Sequence, residues 1–352
     1  MATDPPSSAA ERFHGSDPYD RVADAYYVRG WTDGLPIVPP TERRVEAMLA
    51  AGSWPRDEVL AVVPPRLGAA TAEKVAINAV MAGCDSSYFR VVVAALRAAC
   101  EPEFNLDGIQ NTTNGVTPLV IVNGPLAAEL DVNATGNALG PGRRANATIG
   151  RALRLLLLNV GGGIPGDVDR ATHGQPGKYT FCFAEDEAGS PWPALHVERG
   201  FDPTQSTVTL VAATGTLNVH DVGCQTAAER LHIVAGAMRA LGSSALQWQS
   251  EPLVILNAES ARACADAGLS KDGVRRALWQ KARVPLSEYS LGGLEFLRNH
   301  RPVWFGQDPL PDYLPVAERP EDVMLVVTGG PGRHWIFVPT FGGIRSLTRP
   351  VI

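Results

Sequence analysis

Apolar residues recur along the chain in two patterns, and each pattern predicts a different kind of element. In residues 71–83 and 86–100 the apolar positions are three and four apart, which is typical of a helix that buries one face. Short apolar runs between turn residues, at 119–122, 208–212 and 253–256, predict buried strands. Because the two patterns alternate, the sequence predicts an α/β fold.

Further apolar patterns supply the rest of the predicted elements. Asp17 as N-cap and Pro18 at the first helical position predict a helix to residue 29. We expect residues 1–16 to form a flexible arm. The other predicted helices cover residues 41–51, 145–160, 225–241, 258–267 and 270–282. The other predicted strands cover residues 59–63, 179–184, 323–327 and 335–338, and the strand at 59–63 is expected to be buried.

Two parts of the chain repeat one order of elements: strand, loop, helix, and a second strand that ends in asparagine. AEKVAI at 72–77 resembles AERLHI at 228–233, and PLVIVN at 118–123 resembles PLVILN at 252–257. An N-terminal arm and helix (1–30) would then precede two related α/β halves, 31–200 and 201–352. In such folds the strand ends face a shared cleft, where ligands bind. The alternative is a chance likeness between apolar helices.

Composition narrows the class of protein. The 352 residues are 45% hydrophobic and 19% charged, as in a globular protein with a substantial core. A net charge of −6 without a basic block argues against nucleic acid as a partner. No apolar run, the leucine-rich segment 153–158 included, is long enough for a membrane span, and the N-terminus lacks the apolar region of a secretory signal. Five cysteines without a CxxC pair predict reduced thiols and a cytoplasmic protein.

Residues 105–199 combine many glycine, asparagine and threonine residues with embedded apolar segments, which predicts loops held between buried elements. In the first loop Asn111, Thr112 and Asn114 offer amides and hydroxyls, and we expect them to bind a polar ligand. Turn chemistry within the loop is the alternative.

A glycine turn at 140–142 leads into a helix whose first residues include Arg143, Arg144 and Asn146. The free backbone N–H groups of a helix start favour an anion, and arginine adds two-pronged recognition of a carboxylate or phosphate. We therefore expect these three residues to bind an anionic substrate. Two solvated arginines at a helix start are the alternative.

The loop THGQPGK places His173 and Lys178 among glycine and proline, so neither is expected in a helix or strand. Histidine carries protons near neutral pH, which makes His173 a candidate acid or base. Lys178 would pair with an anionic substrate or a carboxylate. A loop histidine bonded to backbone is the alternative.

The segment HVER predicts a strand on which His196 and Glu198 share one face. With His173 or His220 they would form a histidine and carboxylate metal site, and Glu198 would assist proton transfer. A charged strand face is the alternative, since no fixed metal-binding spacing is present.

The segment NVHDVGC leads into the helix predicted from residue 225. A thiolate is stabilised at a helix N-terminus, so Cys224 is a candidate nucleophile, with His220 as its base and Asp221 as the orienting group. A small buried thiol without chemistry is the alternative.

Four segments carry a resemblance to a known family: WTDGLPIVPPTERRVEAML, EKVAINAVMAGC, GPGRRANATIGRALRLLLLNVGG and THGQPGKYTFCFAEDE. Over about residues 28–290 the chain resembles the long member or partner of the bacterial UGSC-motif (selenocysteine–glycine–serine–cysteine) protein group. The resemblance implies a smaller thiol-redox protein as a partner. This chain has no Gly-Ser-Cys segment, so the redox activity of that motif is not expected here.

These features together predict a cytoplasmic enzyme of hydrolase or lyase type that uses acid/base chemistry on a small polar metabolite, expected to be anionic. The sequence shows no dinucleotide or flavin fingerprint, while a divalent metal stays open. A homo-oligomer or a complex with the smaller redox protein is also open, and no membrane partner is expected. The alternative function is a non-catalytic binding or assembly subunit of such a redox protein.

Overall fold

The computed structural model describes residues 18–307 and 309–352, so the arm predicted for residues 1–16 lies outside them. Helices alternate with mixed sheets, and the chain has the predicted α/β fold. The helices are α1 (Pro18–Val28), α2 (Glu42–Ala50), α3 (Ala72–Ala82), α4 (Phe89–Ala99), α5 (Leu106–Gln110), α6 (Pro125–Glu129), α7 (Arg144–Asn159), α8 (Leu195–Glu198), α9 (Ala227–Met238), α10 (Ser244–Gln247), α11 (Ala258–Asp266), α12 (Lys271–Lys281), α13 (Leu291–His300) and α14 (Pro302–Phe305).

The strands match most of the predicted apolar runs and add several short ones. Short 3₁₀ turns also occur, one of them at Pro176–Lys178. The strands are β1 (Val59–Val63), β2 (Gly68–Thr71), β3 (Thr117–Asn123), β4 (Cys182–Ala184), β5 (Thr207–Ala213), β6 (Leu217–His220), β7 (Leu253–Leu256), β8 (Arg283–Pro285), β9 (Tyr313–Pro315), β10 (Met324–Val327), β11 (His334–Val338) and β12 (Leu347–Pro350).

Two four-stranded mixed sheets form the centre of the fold. In the first the order is β12-β5-β3-β4, with β3 parallel to β4 and antiparallel to β5, and with β12 antiparallel to β5. In the second the order is β10-β7-β11-β6, with β7 parallel to β10 and antiparallel to β11, and with β6 antiparallel to β11. The sheets therefore share one arrangement of strand directions, in which β3 and β7 hold the same place.

The boundary predicted at residue 200 does not divide these sheets. Strands β5 and β12 follow that boundary in the sequence, yet both belong to the first sheet. All seven residues of β5 are buried, and β5 pairs with β3 along its whole length. A strand that is buried on both faces has to lie between two layers, and the place beside β3 provides such a position.

Alternate residues of the central strands point to opposite layers. On β3, Leu119 and Ile121 pack with Ile255 of the second sheet in one buried cluster. Val120 and Val122 instead pack with residues of α3, α4 and α7. On the far side of the second sheet, its outward residues pack with those of α9, α11 and α12. The layers thus run helices, sheet, sheet, helices.

Local signals fix the ends of several helices. The Thr71 side chain accepts a hydrogen bond from the Lys74 N–H at the start of α3, and Gly83 has a φ of 92° at its end, which favours glycine. At α9, Thr226 and Glu229 form a reciprocal capping box, so this helix begins at Ala227 and not at residue 225.

Three other predictions differ from the structure. Residues 195–198 form the single helical turn α8 and not a strand, because the N–H groups of Glu198 and Arg199 bond back along the chain to Ala194 and Leu195. The strand predicted at 179–184 covers only β4. The strand β1 is only half buried, since it pairs with β2 alone in a two-stranded ribbon outside the main sheets. No helix in the described part of the chain is long and apolar enough to cross a membrane.

Candidate functional site

A cavity of about 630 Å³ lies beside α7 and the loop that carries His173 and Lys178. We call it the Lys178 cavity. Its size is in the range of ordinary small-molecule sites. Its walls come from the connector after α1, from α7 and from the long loop before β4. The lining residues are Thr32, Asp33, Arg154, Leu158, Pro165, Gly166, Asp169, Ala171, Thr172, His173, Gly174, Gln175, Pro176, Lys178 and Tyr179.

Two cations share one carboxylate in the wall of the Lys178 cavity. The Lys178 Nζ donates to both oxygens of Asp169 at 2.8 and 2.7 Å, and the Arg154 Nη2 donates to Asp169 Oδ2 at 3.2 Å. The exposed fractions of the three side chains are 14% for Lys178, 10% for Arg154 and 7% for Asp169. The group therefore carries one excess positive charge in a poorly hydrated place.

The pKa shifts in this group follow from burial and from the pairing. Burial lowers the pKa of Lys178, and Asp169 opposes that effect only in part. Burial alone would raise the pKa of Asp169, but the hydrogen bond and charge of Lys178 outweigh it, so the pKa of Asp169 lies below its ordinary value. Asp169 is thus held as a carboxylate that both cations contact.

Helix α7 organises a second ion pair beside the cavity. Arg151 donates from Nε and Nη2 to the two oxygens of Asp33, each at 2.8 Å. The same guanidinium also bonds the carbonyls of Leu35 and Pro36. This fork fixes the connector that supplies one wall and neutralises the charge of Asp33. Because Arg151 and Asp33 cancel each other, the net charge around the cavity stays at the one positive unit left by Arg154, Lys178 and Asp169.

His173 lies at the surface between the Lys178 cavity and a second cavity of about 290 Å³. Within the described residues its ring forms no hydrogen bond, so the alternative of a backbone-bonded histidine does not hold there. The loop itself is fixed, since Thr172 N–H bonds the Thr113 carbonyl and the Gln175 amide bonds the carbonyls of Gly115 and Ala213. A free imidazole thus projects from a rigid loop.

The second cavity collects part of the predicted amide and hydroxyl loop. Asn114 lines it, and the Asn114 side chain donates to Ser244 Oγ at 3.0 Å. Thr112 and Asn111 do not line it. The Thr112 hydroxyl accepts a hydrogen bond from the Asn114 N–H, and the Asn111 amide donates to Asp107. These two residues therefore stabilise local turns, as the alternative to ligand binding predicted. The full lining is Thr113, Asn114, Gly115, Thr172, His173, Gly174, Thr214, Gly242, Ser243, Ser244 and Pro339.

The structure does not join the predicted anion-binding residues at the start of α7 to either cavity. Arg143 pairs with Asp131 at 3.0 Å, and Arg144 bonds the Gly83 carbonyl at 2.8 Å. Asn146 is buried and bonds backbone groups of the 133–138 segment through both side-chain atoms. Both arginines are exposed, so their positions favour the alternative of two solvated arginines at a helix start over an anion-binding pair.

Glu198 and His196 are not on one strand face, because they lie on the helical turn α8. The Glu198 carboxylate lies 2.7 Å from Lys271 Nζ and accepts a hydrogen bond from Arg275 Nη2 at 2.8 Å, so it forms ion pairs with α12. His196 is fully buried, and its nearest ionic neighbour is Glu187, 3.8 Å from Nδ1. No described residue is a hydrogen-bond partner for either His196 ring nitrogen.

Glu185 extends this buried group at the ends of the parallel strands β3 and β4. Its carboxylate accepts from Asn123 Nδ2 at 2.7 Å and from the Leu195 N–H at 2.8 Å, and Lys271 Nζ is 3.7 Å away. Burial raises the pKa of Glu185, and Lys271 opposes the shift. We call Glu185, Glu198, Lys271 and Arg275 the Glu185 cluster. It joins α12 to the segment after β4.

His220 stacks on His334, its direct cross-strand neighbour, with ring centroids 4.6 Å apart and an angle of 8° between the rings. Asp221 follows the end of β6 and does not orient His220 as predicted. Asp221 is fully buried, and its Oδ2 accepts from Trp335 Nε1 at 3.1 Å and lies 3.7 Å from Arg230. The pair predicted between His220 and Asp221 is therefore wrong.

Cys224 is buried, and it lies three residues before the first residue of α9. Thr226 occupies the N-cap position where a thiolate would gain from the helix end, so the predicted stabilisation is lost. The Arg333 side chain donates to the Cys224 carbonyl at 2.8 Å, which fixes the backbone. This surrounding favours the alternative of a small buried thiol.

The four candidate metal ligands are not brought together. His173 borders the cavities, His196 and Glu198 belong to the buried region near α12, and His220 stacks on His334 at the surface. The described residues contain no group of three or more histidine, cysteine, aspartate or glutamate side chains that could hold a metal ion.

Sequence reasoning missed Arg154, Asp169 and Tyr179 as parts of the site. A signal for Arg154 was present, because Arg151 and Arg154 interrupt an otherwise apolar helix three residues apart and so share one face. Asp169 and Tyr179 had no comparable signal, since both lie in an irregular loop.

Comparison of the chain with family models, curated proteins and solved structures finds no match. The resemblance to the UGSC-motif group therefore stays a prediction, and the function has to be argued from the geometry of the site.

Proposed function

We propose that this chain is an enzyme that binds a small carboxylate metabolite in the Lys178 cavity. The observation that carries the proposal is the shared carboxylate: Arg154 and Lys178 both contact Asp169, which leaves one positive charge for a ligand anion. A carboxylate there would gain charge-assisted hydrogen bonds of about 1.5–3 kcal/mol each.

His173 is the proposed proton carrier for the bound ligand. It borders the cavity and its ring is not engaged by the described residues, so it is free to meet a ligand. In a hydrolase, a neutral His173 would take a proton from water and return it to the leaving group. In a lyase, it would take a proton from carbon while the leaving group departs. Neither course needs an oxidant or a reductant.

Binding is tested by titration of acetate, lactate, succinate and benzoate into the protein at pH 7. Lys178→Met should weaken binding of the responding carboxylate at least tenfold, because the net charge of the cavity falls to zero. Lys178→Arg keeps that charge and is the matched control. Failure of every carboxylate to bind the wild-type protein would refute the proposal.

Turnover is tested with a mixture of carboxylate metabolites followed by mass spectrometry. The wild-type protein should convert one component into products that differ by addition of water or by elimination. His173→Ala should bind that component without converting it, while His232→Ala, an exposed histidine on α9, should behave as wild type. A ligand that binds and is never converted would instead support the non-catalytic subunit.

A further inference from the structure

We infer that the Lys178 cavity selects a monocarboxylate whose remaining body is apolar, such as an aryl or branched alkyl carboxylic acid. This inference rests on the proposed function and names its substrate class. It adds an apolar body to the small polar, anionic metabolite that the sequence predicts.

The charge of the cavity limits the ligand to one carboxylate. Arg154 and Lys178 supply two positive charges, and Asp169 cancels one of them. The charge of Arg151 is already paired with Asp33 through two hydrogen bonds. A second carboxylate on the ligand would find no free lining cation and would be repelled by Asp169. One negative charge is therefore compensated and a second is not.

Two neutral polar groups of the lining are engaged within the protein. The Gln175 amide nitrogen bonds two backbone carbonyls, at 2.7 and 2.9 Å, and the Thr32 hydroxyl accepts the Gly34 N–H at 3.2 Å. A ligand hydroxyl or amide placed beside these two groups would lose hydrogen bonds to water without an equivalent partner there, which costs free energy.

The lining also includes several apolar residues, and the cavity is far larger than a carboxylate alone requires. Leu158 comes from α7, and Pro165, Ala171 and Pro176 come from the loop. Tyr179 also lines the cavity and is 51% exposed, so its ring is available to cover an apolar ligand body. Each ligand methylene buried against such walls tightens binding about fourfold.

The test is calorimetric titration at pH 7 with four probes: acetate, succinate, phenylacetate and phenylacetamide. Phenylacetate should bind at least tenfold more tightly than acetate, because its ring is buried. Phenylacetamide, which keeps the ring without the charge, should bind at least tenfold more weakly than phenylacetate. Succinate should bind no better than acetate.

Tyr179→Ala should weaken phenylacetate at least threefold and leave acetate unchanged, whereas Tyr313→Ala, a half-exposed tyrosine on β9, should change neither. Succinate binding more tightly than phenylacetate, or a Tyr179→Ala variant that binds phenylacetate as wild type does, would overturn the inference and leave the proposed function standing. Binding by none of the carboxylates would refute the proposed function itself.

Discussion

At the scale of the residue, the sequence predicts which loop borders the cavity better than it predicts which side chains pair with one another. His173 and Lys178 stand out because they lie among glycine and proline residues, and both line the cavity. The sequence also predicts that Arg143 and Arg144 bind an anion, yet Asp131 and Asp85 pair with them. The partners of an ion pair depend on the tertiary structure, and for residues in loops no sequence spacing predicts which charged side chains will pair.

Asp169→Ala should leave the two cations of the Lys178 cavity buried without their counter-charge. We expect a loss of about 3–5 kcal/mol in the free energy of unfolding, as when one partner of a buried ion pair is removed. Acetate should restore part of this loss, because its carboxylate can occupy the vacated place and binds the folded state. Urea denaturation with and without acetate measures both effects.

The control for this rescue is sodium chloride at equal ionic strength, together with neutral acetamide. Neither should restore the Asp169→Ala variant as acetate does. Equal stabilisation by chloride and acetate would show that the pair of cations does not recognise a carboxylate.

At the scale of the element, α7 could be predicted almost to the residue, whereas the loop it supports could not. Its largely apolar sequence predicts a buried helix. The loop from Gly161 to Phe181 has little regular structure, so periodicity says nothing about its path. Its close approach to α7 depends on Gly150, where a Cβ atom would lie 2.5 Å from the Phe181 backbone nitrogen.

Gly150→Ala should therefore destabilise the protein by about 1–3 kcal/mol, because the added methyl forces the segment around Phe181 away from α7. The same change should weaken carboxylate binding, since Arg154 on α7 and Lys178 before β4 would move apart.

Gly236→Ala provides the matched control inside helix α9. A Cβ atom there meets nothing within 4 Å, and the position is exposed. Removing a helix-interior glycine should raise the free energy of unfolding by about 0.5–1 kcal/mol. Thermal denaturation of both variants should give shifts of opposite sign, and shifts of the same sign would contradict the packing account.

At the scale of the whole molecule, the α/β class followed from the alternation of patterns, but the pairing of strands did not. The edge strand β12 lies far along the chain from its neighbour β5, and no local pattern links the two. The shared strand directions of the two sheets, with β3 and β7 in equivalent places, are what a duplicated unit would produce. The duplication and the shared cleft remain predictions.

The Glu185 cluster joins two of the layers, so its protonation should affect the stability of the whole fold. Burial raises the pKa of Glu185, with Lys271 opposing, so the folded state holds this proton more tightly than the unfolded chain does. Stability from this group is therefore present at low pH and is lost as the pH rises above the ordinary carboxyl range.

Glu185→Gln should remove that loss, because the amide stays neutral at every pH. The free energy of unfolding of the variant, relative to wild type, should rise as the pH increases above the ordinary carboxyl range, by about 1.4 kcal/mol for each unit of pKa difference. Glu321→Gln, at an exposed position, is the control. A difference that does not change with pH would show that Glu185 does not gain a proton on folding.

The most direct test of the central claim is a crystal structure of the protein soaked with 4-bromobenzoate at a concentration that saturates binding in solution. We expect an anomalous bromine peak in the Lys178 cavity, near Leu158 and Tyr179, with the carboxylate in contact with Lys178 and Arg154. A bromine peak at any other place on the molecule, with the Lys178 cavity free of ligand, would contradict that claim.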